Sequence, residues 1–382
     1  MHLEFATANR IVFGAGAIQE IPPLAAAFGN HALVVTGANP DRAKQHLAAL
    51  EALGVACRYI GVPGEPTIDF VREGAQAARY ANFVVGFGGG SAMDAAKAIA
   101  AVAPNSGEPL DYLEVIGHAK ALENPPLPFI AIPTTAGTGA EVTRNAVLGS
   151  PERLVKASIR SPLMLARLAL IDPELTLAVP QAITAATGLD TVTQLIESYV
   201  SSRANALTDI FCLDGLARAV KALPAAYENG ASLAARTDMS FASLLSGLAL
   251  ANAGLGVIHG FAGPLGGLLE APHGALCAAV LPHGVATNIR ALRERAPSHP
   301  ALERYAKIAA LLTQDNQAEP EAAVEALVSL CSALNVRSLR THGLAAAQIP
   351  AIVEKAAASS SMKGNPLLLT SSELTQTLER AL

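Results

Sequence analysis

The sequence has few charged residues and no local excess of one charge. Asp, Glu, Lys and Arg make up 15% of the 382 residues, whereas hydrophobic residues make up 51%. This composition excludes an intrinsically disordered chain. Lys and Arg number 27 against 32 acidic residues, which gives a net charge of −5, and they form no basic run. A nucleic-acid partner is therefore not expected, because contact with a phosphate backbone requires such a run.

Cysteine is also scarce. The four cysteines, Cys57, Cys212, Cys277 and Cys331, lie far apart and form no CxxC pair. This spacing is typical of neither a disulfide scaffold nor a zinc ribbon, and it favours a reducing compartment. The N-terminal residues MHLEFATANR lack the basic-then-apolar pattern of a signal peptide, so the cytoplasm is the expected location.

One long segment is almost free of charge. Between Phe241 and Gly284 the only acidic or basic residue is Glu270, so a membrane span has to be considered. Several prolines and glycines interrupt the segment, and it has no basic flanks. The sequence therefore predicts buried helices of a soluble core and no membrane partner.

The length and the apolar pattern predict two domains. Four short apolar runs read as parallel strands, at 31–37, 54–61, 81–90 and 127–135, with amphipathic helices at 41–53 and 68–80 between them. This alternation predicts an α/β, Rossmann-like, doubly wound domain over residues 1–163. Residues 164–382 are predicted to form an all-α domain, because alanine- and leucine-rich stretches take over at 181–202, 206–222, 232–252, 301–313, 319–334 and 346–357.

A glycine-rich turn follows the third apolar run, in VVGFGGGSAMDAAKAIA. Gly88, Gly89 and Gly90 allow a diphosphate to approach the backbone at the start of a helix, whose free N–H groups attract anions. Ser91 is placed to cap that helix or to donate to a phosphate, and Asp94 suits a capping box. The spacing is not GxGxxG, and the alternative is a tight turn with no ligand.

A second polar loop follows the fourth run, in IPTTAGTGAEVT. It supplies the hydroxyl groups of Thr134, Thr135 and Thr138 among glycines. Both loops follow strands, and the carboxyl ends of parallel strands are where open α/β sheets bind ligands. We therefore expect the two loops to lie close together.

The predicted helical domain carries a possible metal site. In ATGLDTVTQLIESYVS, at 186–201, Asp190 and Gln194 are four residues apart and share a helix face. Together with His259 and His273 of GVIHGFAGPLGGLLEAPHG they form a candidate pocket for a divalent ion. The alternative for each histidine is a hydrogen-bonded core or capping residue, and we interpret His283 of VLPHG in that way.

Taken in order, the motifs GFGGGSAMDAAKA, IPTTAGTGAEVTRNAV, DPELTLAVP, TAATGLDTVTQLIESYVS, HGFAGPLGG, APHG and VLPHGVATN resemble the iron-containing (group III) alcohol dehydrogenases over roughly residues 10–290. The resemblance implies a dehydroquinate synthase-like architecture, in which a dinucleotide-binding domain precedes a helical one. It implies NAD- or NADP-dependent, metal-assisted transfer of hydride between nicotinamide and a small alcohol or carbonyl compound. It also implies a divalent metal, iron by family or else zinc or another ion, and a homodimer.

The resemblance assigns roles to individual residues. It implies that Gly88, Gly89, Gly90 and Ser91 form the diphosphate loop, followed by the acidic residue Asp94, and that Thr134, Thr135 and Thr138 form a second cofactor loop. Lys156 is similar to a family lysine near the nicotinamide ribose. Asp190, His259 and His273 match three of the four metal ligands of the family.

Three positions depart from the family pattern. Gln194 stands where the family has a histidine ligand, and Gly263 stands where it has a second histidine that serves as a proton relay, so the catalytic proton donor is unknown. Gly37 follows the threonine of VVTG, at the end of the first strand-like run. NAD-specific members of the family have an acidic residue at this position. NADP is therefore compatible with the sequence, and Asn39 or Arg42 is a candidate contact for its 2′-phosphate.

Two alternatives follow from these departures. The first is a relative with the same architecture, such as a maleylacetate reductase-like enzyme that reduces a keto acid with a reduced metal site, or a glycerol dehydrogenase or dehydroquinate synthase. The second belongs to another class and is a non-catalytic dinucleotide-binding protein, which is suggested by the loss of two histidines.

Overall fold

A computed structural model describes residues 3–153 and 155–382. These residues form two compact units. One unit is Ala6–Val179, and the other is Pro180–Leu382 together with the N-terminal segment as far as Phe5. Each unit is described by itself below.

The first unit is built on a six-stranded parallel sheet with the strand order β1-β8-β5-β4-β2-β3. The strands of this sheet and of a separate hairpin are β1 (Ile11–Phe13), β2 (His31–Thr36), β3 (Ala56–Gly61), β4 (Phe83–Gly88), β5 (Phe129–Pro133), β6 (Asn145–Ser150), β7 (Val155–Arg160) and β8 (Leu168–Ile171). Every residue of β4, β5 and β8 is buried. Parallel strands that are covered on both faces read as continuous apolar runs, and for this reason β2, β4 and β5 were predictable. The fourth predicted strand, β3, lies at the edge of the sheet and has no fully buried residue.

Helices cover the sheet and supply most of the remaining core of this unit. They are α1 (Ile21–Ala26), α2 (Asp41–Ala52), α3 (Ile68–Ala77), α4 (Gly90–Val102) and α5 (Pro109–Tyr112), with short 3-10 turns at Ala17–Glu20, Ala140–Val142, Pro151–Arg153, Pro162–Met164 and Pro173–Thr176. The side chain of Thr67 caps α3 by accepting from the Phe70 N–H. The predicted α/β dinucleotide-binding fold is confirmed.

The predicted domain limit at 163/164 differs from the division at 179/180 that the structure shows. Strand β8 pairs with β5 and β1 within the sheet, so the first unit has to extend beyond it. Its four residues, LALI, form too short a run to signal a strand. The hairpin of β6 and β7 also escaped prediction, because half of each strand is only partly buried.

The second unit is all-helical, as predicted. Its helices are α6 (Gln181–Val200), α7 (Ala206–Glu228), α8 (Leu233–Ala253), α9 (Val257–Leu268), α10 (His273–Arg295), α11 (Ala301–Thr313), α12 (Ala322–Ala333), α13 (Ile349–Ala357) and α14 (Ser371–Ala381), with 3-10 turns at Ala346–Gln348 and Ser361–Gly364. Helix α6 packs against α7, α8 and α10. Fifteen of its twenty residues are buried, so α6 is the central helix of the unit.

Helix α10 is long and apolar enough to cross a membrane, and α8 and α9 would pass the same test together although they are bent by 98°. In the structure 78% of the apolar segment of α10 is buried by the rest of the chain. This burial is typical of a core helix, as expected from the interrupted sequence.

Candidate metal centre and cofactor loops

Four potential ligand atoms meet in the helical unit. They belong to Asp190 of α6, His259 of α9, and His273 and Cys277 of α10, and all lie within 4.8 Å of one another. The Nε2 atom of His259 lies 3.2 Å from Asp190 Oδ1, and Nε2 of His273 lies 3.9 Å from the same oxygen. The structure thus brings together three of the four predicted metal ligands and adds one that sequence reasoning missed.

The close approach of α10 to α6 depends on Gly274. A Cβ atom at this position would lie 2.2 Å from the carbonyl oxygen of Ala186 and 3.3 Å from Cβ of Asp190. Any side chain would therefore push the start of α10 away from α6. Because His273 is the first residue of α10, glycine at 274 is what allows its imidazole to reach Asp190.

Glu197 fixes the orientation of His259. Its buried carboxylate accepts hydrogen bonds from the Ile258 N–H at 2.6 Å, the His259 N–H at 3.3 Å and Nδ1–H of His259 at 2.6 Å. With Nδ1 bonded in this way, Nε2 is the nitrogen that faces the cluster, and it offers its lone pair to a cation once its own proton is displaced. Such a carboxylate–histidine pair is the usual outer support of a metal-bound imidazole. Its sequence signal was the position of Glu197 two turns after Asp190, on the same face of α6.

Gln194, the fourth predicted ligand, is held in another role. Its Nε2 donates to Oδ2 of Asp190 at 3.1 Å, and its Oε1 accepts from the Ser246 hydroxyl at 2.8 Å. Turning the amide round would place its oxygen against the carboxylate oxygen of Asp190, and both atoms are acceptors. Gln194 therefore supports Asp190 and keeps its amide oxygen on Ser246.

The cluster shifts the pKa values of its own members. Burial lowers the pKa of both histidines, but Cys277 and Asp190 outweigh it, so the pKa of His259 lies well above its ordinary value and that of His273 rises to about 9. Burial raises the pKa of Cys277 and of Asp190, but the two imidazoles outweigh it and leave both values lowered. A cation that binds here has to displace protons from the histidines, so its affinity falls as the pH falls.

The donor types fit a divalent metal. Carboxylate, imidazole and thiolate are the ligands of zinc and of several first-row transition metals in proteins. The cluster opens on one side, because the side chain of His273 is 35% exposed whereas those of Asp190 and His259 are 1% and 6% exposed. A small ligand can therefore approach the donors past His273.

Gly263 lies one turn after His259 on α9, and a Cβ atom there would meet nothing within 4 Å. The position where the resemblance places a proton relay is thus open space beside the helix. His283 lies in α10. The residue is partly buried, and burial together with the charge of Arg380 lowers its pKa.

The predicted cofactor loops meet at one edge of the parallel sheet. Strand β2 has β3 on one side and β4 on the other. The connection that leaves β2 therefore runs towards β3, and the connection that leaves β4 runs the opposite way, towards β5. Open α/β sheets bind ligands at the carboxyl ends of two strands whose connections run in opposite directions. Gly37 follows β2, and Gly88 ends β4. A Cβ atom on Gly88 would lie 3.3 Å from the backbone nitrogen of Gly37.

The threonine loop after β5 lies against the glycine loop. The Thr134 N–H donates to the Gly88 carbonyl at 2.8 Å. Cβ atoms on Gly89 and Gly90 would lie 3.3 Å from Thr135 Oγ1 and 2.9 Å from Thr138 Cγ2. The two loops and the start of α4 thus form one continuous polar surface.

The capping box expected from Ser91 and Asp94 is not formed at the start of α4. Helix α4 begins after Gly89 with no side-chain cap, so Ser91 is already the second helical residue. The Asp94 carboxylate accepts from the Val147 N–H at 3.1 Å. It therefore links α4 to the hairpin, and the helix start keeps its backbone donors available to an anion.

Lys97 is a buried support that sequence reasoning missed. Its ammonium donates to the carbonyl oxygens of Ala140 and Asn145 at 2.7 and 2.8 Å and to Thr143 Oγ1 at 2.9 Å. Burial lowers its pKa to about 8. A lysine three residues after Asp94 on an apolar helix was the available signal, and its contacts hold the end of the threonine loop against α4.

Three further candidates have partners of their own. Lys156 lies on β7 of the hairpin, and its Nζ lies 3.4 Å from Oε1 of Glu65. The Asn39 side chain accepts from the Asp41 N–H at the start of α2. The Arg42 guanidinium donates to the Leu175 carbonyl. These three side chains are therefore held by protein contacts.

Comparison with known proteins covers nearly the whole chain. The family models described as "Iron-containing alcohol dehydrogenase" and "Fe-containing alcohol dehydrogenase family, C-terminal" match residues 8–173 and 184–382. "Alcohol dehydrogenase 4" of Saccharomyces cerevisiae is 37% identical over 83% of this chain and 80% of its own. "1,3-propanediol dehydrogenase" of Citrobacter freundii is 33% identical over 85% of this chain and 82% of its own. A solved structure of a 1,3-propanediol oxidoreductase superposes with a TM-score of 0.92 at 31% identity, over 100% of both chains.

The fold and these similarities define a nicotinamide-dependent, metal-assisted oxidoreductase that acts on CH–OH groups. Within this class the chain belongs to the iron-containing alcohol dehydrogenase family. The family, the fold and the enzyme class expected from the motifs are thereby confirmed.

Proposed function

We propose that the protein interconverts small primary alcohols and aldehydes, with the helical cluster as its metal site and the paired glycine and threonine loops as its cofactor site. The observation that carries the proposal is the convergence of Asp190, His259 and His273. Relatives named for 1,3-propanediol, methanol and long-chain alcohols support an alcohol as substrate, and a short one is our proposal.

The residues of the chain divide the work between the two units. The glycines at the start of α4 let the threonine loop lie against the helix start, and the uncapped backbone donors there would attract a diphosphate. Asp190, His259 and His273 would hold a divalent cation, which supplies a Lewis acid that polarises the C–O bond of the substrate. Glu197 and Gln194 keep two of those side chains in position.

Cofactor choice depends on the end of β2. An acidic residue at this position would hydrogen-bond the ribose hydroxyl of NAD and repel a 2′-phosphate, but this chain has Gly37. We therefore propose that NADPH is accepted as well as NADH. Gly37→Asp is expected to lower kcat/KM with NADPH relative to NADH, because the carboxylate would repel the 2′-phosphate. The new side chain can be accommodated, since a Cβ at this position meets nothing within 4 Å.

The test is nicotinamide absorbance with short aldehydes and alcohols, before and after removal of metal by a chelator. Turnover is expected to disappear on chelation and to return with a divalent ion. His259→Ala should abolish both metal retention and turnover, whereas the matched control His283→Ala should keep both.

Two outcomes would contradict the proposal. Turnover that survives both chelation and His259→Ala would identify a reductase that works without metal, as in the maleylacetate reductase-like alternative. Tight NAD(P)H binding without turnover of any alcohol or aldehyde would identify a non-catalytic dinucleotide-binding protein.

Location and assembly are part of the proposal. Cys57, Cys212, Cys277 and Cys331 are all free thiols, which supports a reducing compartment such as the cytoplasm. A homodimer is proposed on the resemblance alone, and light scattering on the purified protein tests it.

A further inference from the structure

The amide of Gln194 cannot serve the cluster without losing its present partners. It donates to Oδ2 of Asp190 and accepts from Ser246, while Oδ1 of Asp190 faces the two imidazoles. Gln194 thus holds the oxygen of Asp190 that points away from the histidines. The position that supplies an imidazole ligand in the family pattern provides none here.

A different side chain occupies the fourth corner of the cluster. Cys277 lies four residues after His273 on α10, so the two side chains share a face of the helix. Its Sγ atom lies 3.6 Å from Nε2 of His273 and 3.8 Å from Nε2 of His259. The residue is fully buried at 0% exposure, so its sulfur has these two imidazoles and Asp190 as its polar surroundings.

Three of the four separations recorded between these donor atoms are close to those of a tetrahedral metal site. Metal–nitrogen and metal–oxygen bonds of about 2.1 Å and a metal–sulfur bond of about 2.3 Å place N···S atoms about 3.6 Å apart and N···O atoms about 3.4 Å apart at tetrahedral angles. The observed N···S distances are 3.6 and 3.8 Å, and the N···O distances are 3.2 and 3.9 Å. Three of these distances lie within about 0.2 Å of the tetrahedral values, and the fourth, from His273 Nε2 to Asp190 Oδ1, is about 0.5 Å longer. A small movement of the partly exposed His273 side chain would therefore bring the four donors around one ion.

We propose that Cys277 is the fourth protein ligand in place of Gln194, and that the resulting set of one carboxylate, two imidazoles and one thiolate retains zinc in preference to iron. The substrate oxygen would then be a fifth ligand, approaching on the exposed side of His273. The inference rests on the proposed metal site. A thiolate is a soft ligand that favours zinc, and two anionic ligands neutralise a divalent ion inside the protein. Gln194 is then a positioning residue for Asp190.

Cobalt substitution tests the inference directly. Co²⁺ in the site is expected to show a sulfur-to-cobalt charge-transfer band in the near ultraviolet and the intense visible bands of tetrahedral coordination. Cys277→Ser should still bind cobalt through three ligands but lose the charge-transfer band. It should also lose zinc affinity by more than the about 10- to 100-fold that removal of an outer-shell partner costs.

The matched control is Cys212→Ser, which removes another buried thiol of the helical unit, on α7, and should leave the band unchanged. In competition for equal Zn²⁺ and Fe²⁺, the wild type should hold zinc, and Cys277→Ser should hold a larger share of iron. Gln194→Leu should weaken metal binding but keep the band, because the thiolate remains.

Two results would overturn the inference. Stoichiometric cobalt without a charge-transfer band, together with metal-dependent turnover, would show that the site exists and Cys277 is not a ligand. Turnover without any bound metal would overturn both the inference and the proposed metal site, so the two failures are distinguishable.

Discussion

Replacing Glu197 by glutamine is expected to lower metal affinity by about 10- to 100-fold, which corresponds to about 1.4–2.7 kcal/mol. The carboxylate accepts three hydrogen bonds at the start of α9, one of them from Nδ1–H of His259. It thereby fixes which nitrogen of His259 faces the cluster. The glutamine is nearly the same size, so the change removes one charge and one acceptor without leaving a cavity.

The structure sets the cost of either orientation of the new amide. With its NH₂ towards His259, Nδ1 has to become an acceptor, and Nε2 then carries the proton and loses its lone pair for the metal. With its NH₂ towards the Ile258 N–H, two donors face each other across the present 2.6 Å contact. Each arrangement loses at least one hydrogen bond to a buried charged group, so the free energy of unfolding should fall by about 1.5–3 kcal/mol.

Competition with a chromophoric chelator measures the metal affinity, and urea unfolding of the metal-free protein measures the stability. The matched control is Glu141→Gln, because Glu141 and Glu197 are each 3% exposed and Glu141 lies in the other unit, so metal affinity should not change. A folded Glu197→Gln protein with wild-type metal affinity would refute the argument that Glu197 orients a metal ligand.

Three further substitutions test other parts of the structure. Gly274→Ala should lower the free energy of unfolding by about 1–3 kcal/mol and weaken metal binding, because its Cβ would lie 2.2 Å from the Ala186 carbonyl oxygen and must displace α10. Glu141→Gln should gain about 3 kcal/mol of stability relative to the wild type as the pH rises from 4.5 to 7, because burial raises the folded-state pKa from 4.5 to about 7 while the unfolded carboxyl ionises first. Gly263→His should raise kcat by about tenfold or more, since it places a general acid–base where the resemblance has one.

The controls for these variants come from the same chain. Gly263→Ala should be neutral or stabilising by up to about 1 kcal/mol, because its Cβ meets nothing within 4 Å. It is therefore the comparison for both glycine variants. For Glu141→Gln, denaturant titrations at several pH values measure the free energy of unfolding relative to the wild type. If the difference does not grow with pH, the buried carboxyl is ionised throughout and the prediction is wrong. A pH-independent kcat gain in Gly263→His would speak against a proton-transfer role.

Much of the first unit was predictable because its central strands are buried on both faces. Runs such as FVVGFG and FIAIP are continuous apolar segments next to glycine or threonine loops, and both features are local in sequence. Strand β8 was missed because only tertiary pairing with β1 and β5 distinguishes its four residues from other apolar segments. The domain limit depended on that strand and was placed too early.

The site was predictable where a polar residue stands in an apolar segment and not where packing decides. Asp190, His259 and His273 stand out as polar residues in apolar segments. The role of Gln194 depends on Ser246, a neighbour 52 residues away, and no local pattern contains that contact. Cys277 was available as the fourth residue after His273, but a single cysteine carries no signal until the structure places it beside two imidazoles.

The charges around the cluster give a reason why Cys277 would serve as a metal ligand in place of Gln194. His259 is the third residue of α9 and His273 is the first residue of α10, so both imidazoles stand at helix N-termini, whose partial positive charge opposes a cation. With Asp190 as the only anionic ligand, a divalent ion would leave a net positive charge in this buried position. A thiolate at Cys277 brings the ion and its ligands to neutrality, while Glu197 remains opposite the start of α9. The Cys277→His protein should therefore bind a divalent ion less tightly than the wild type, even though the number of ligands is unchanged.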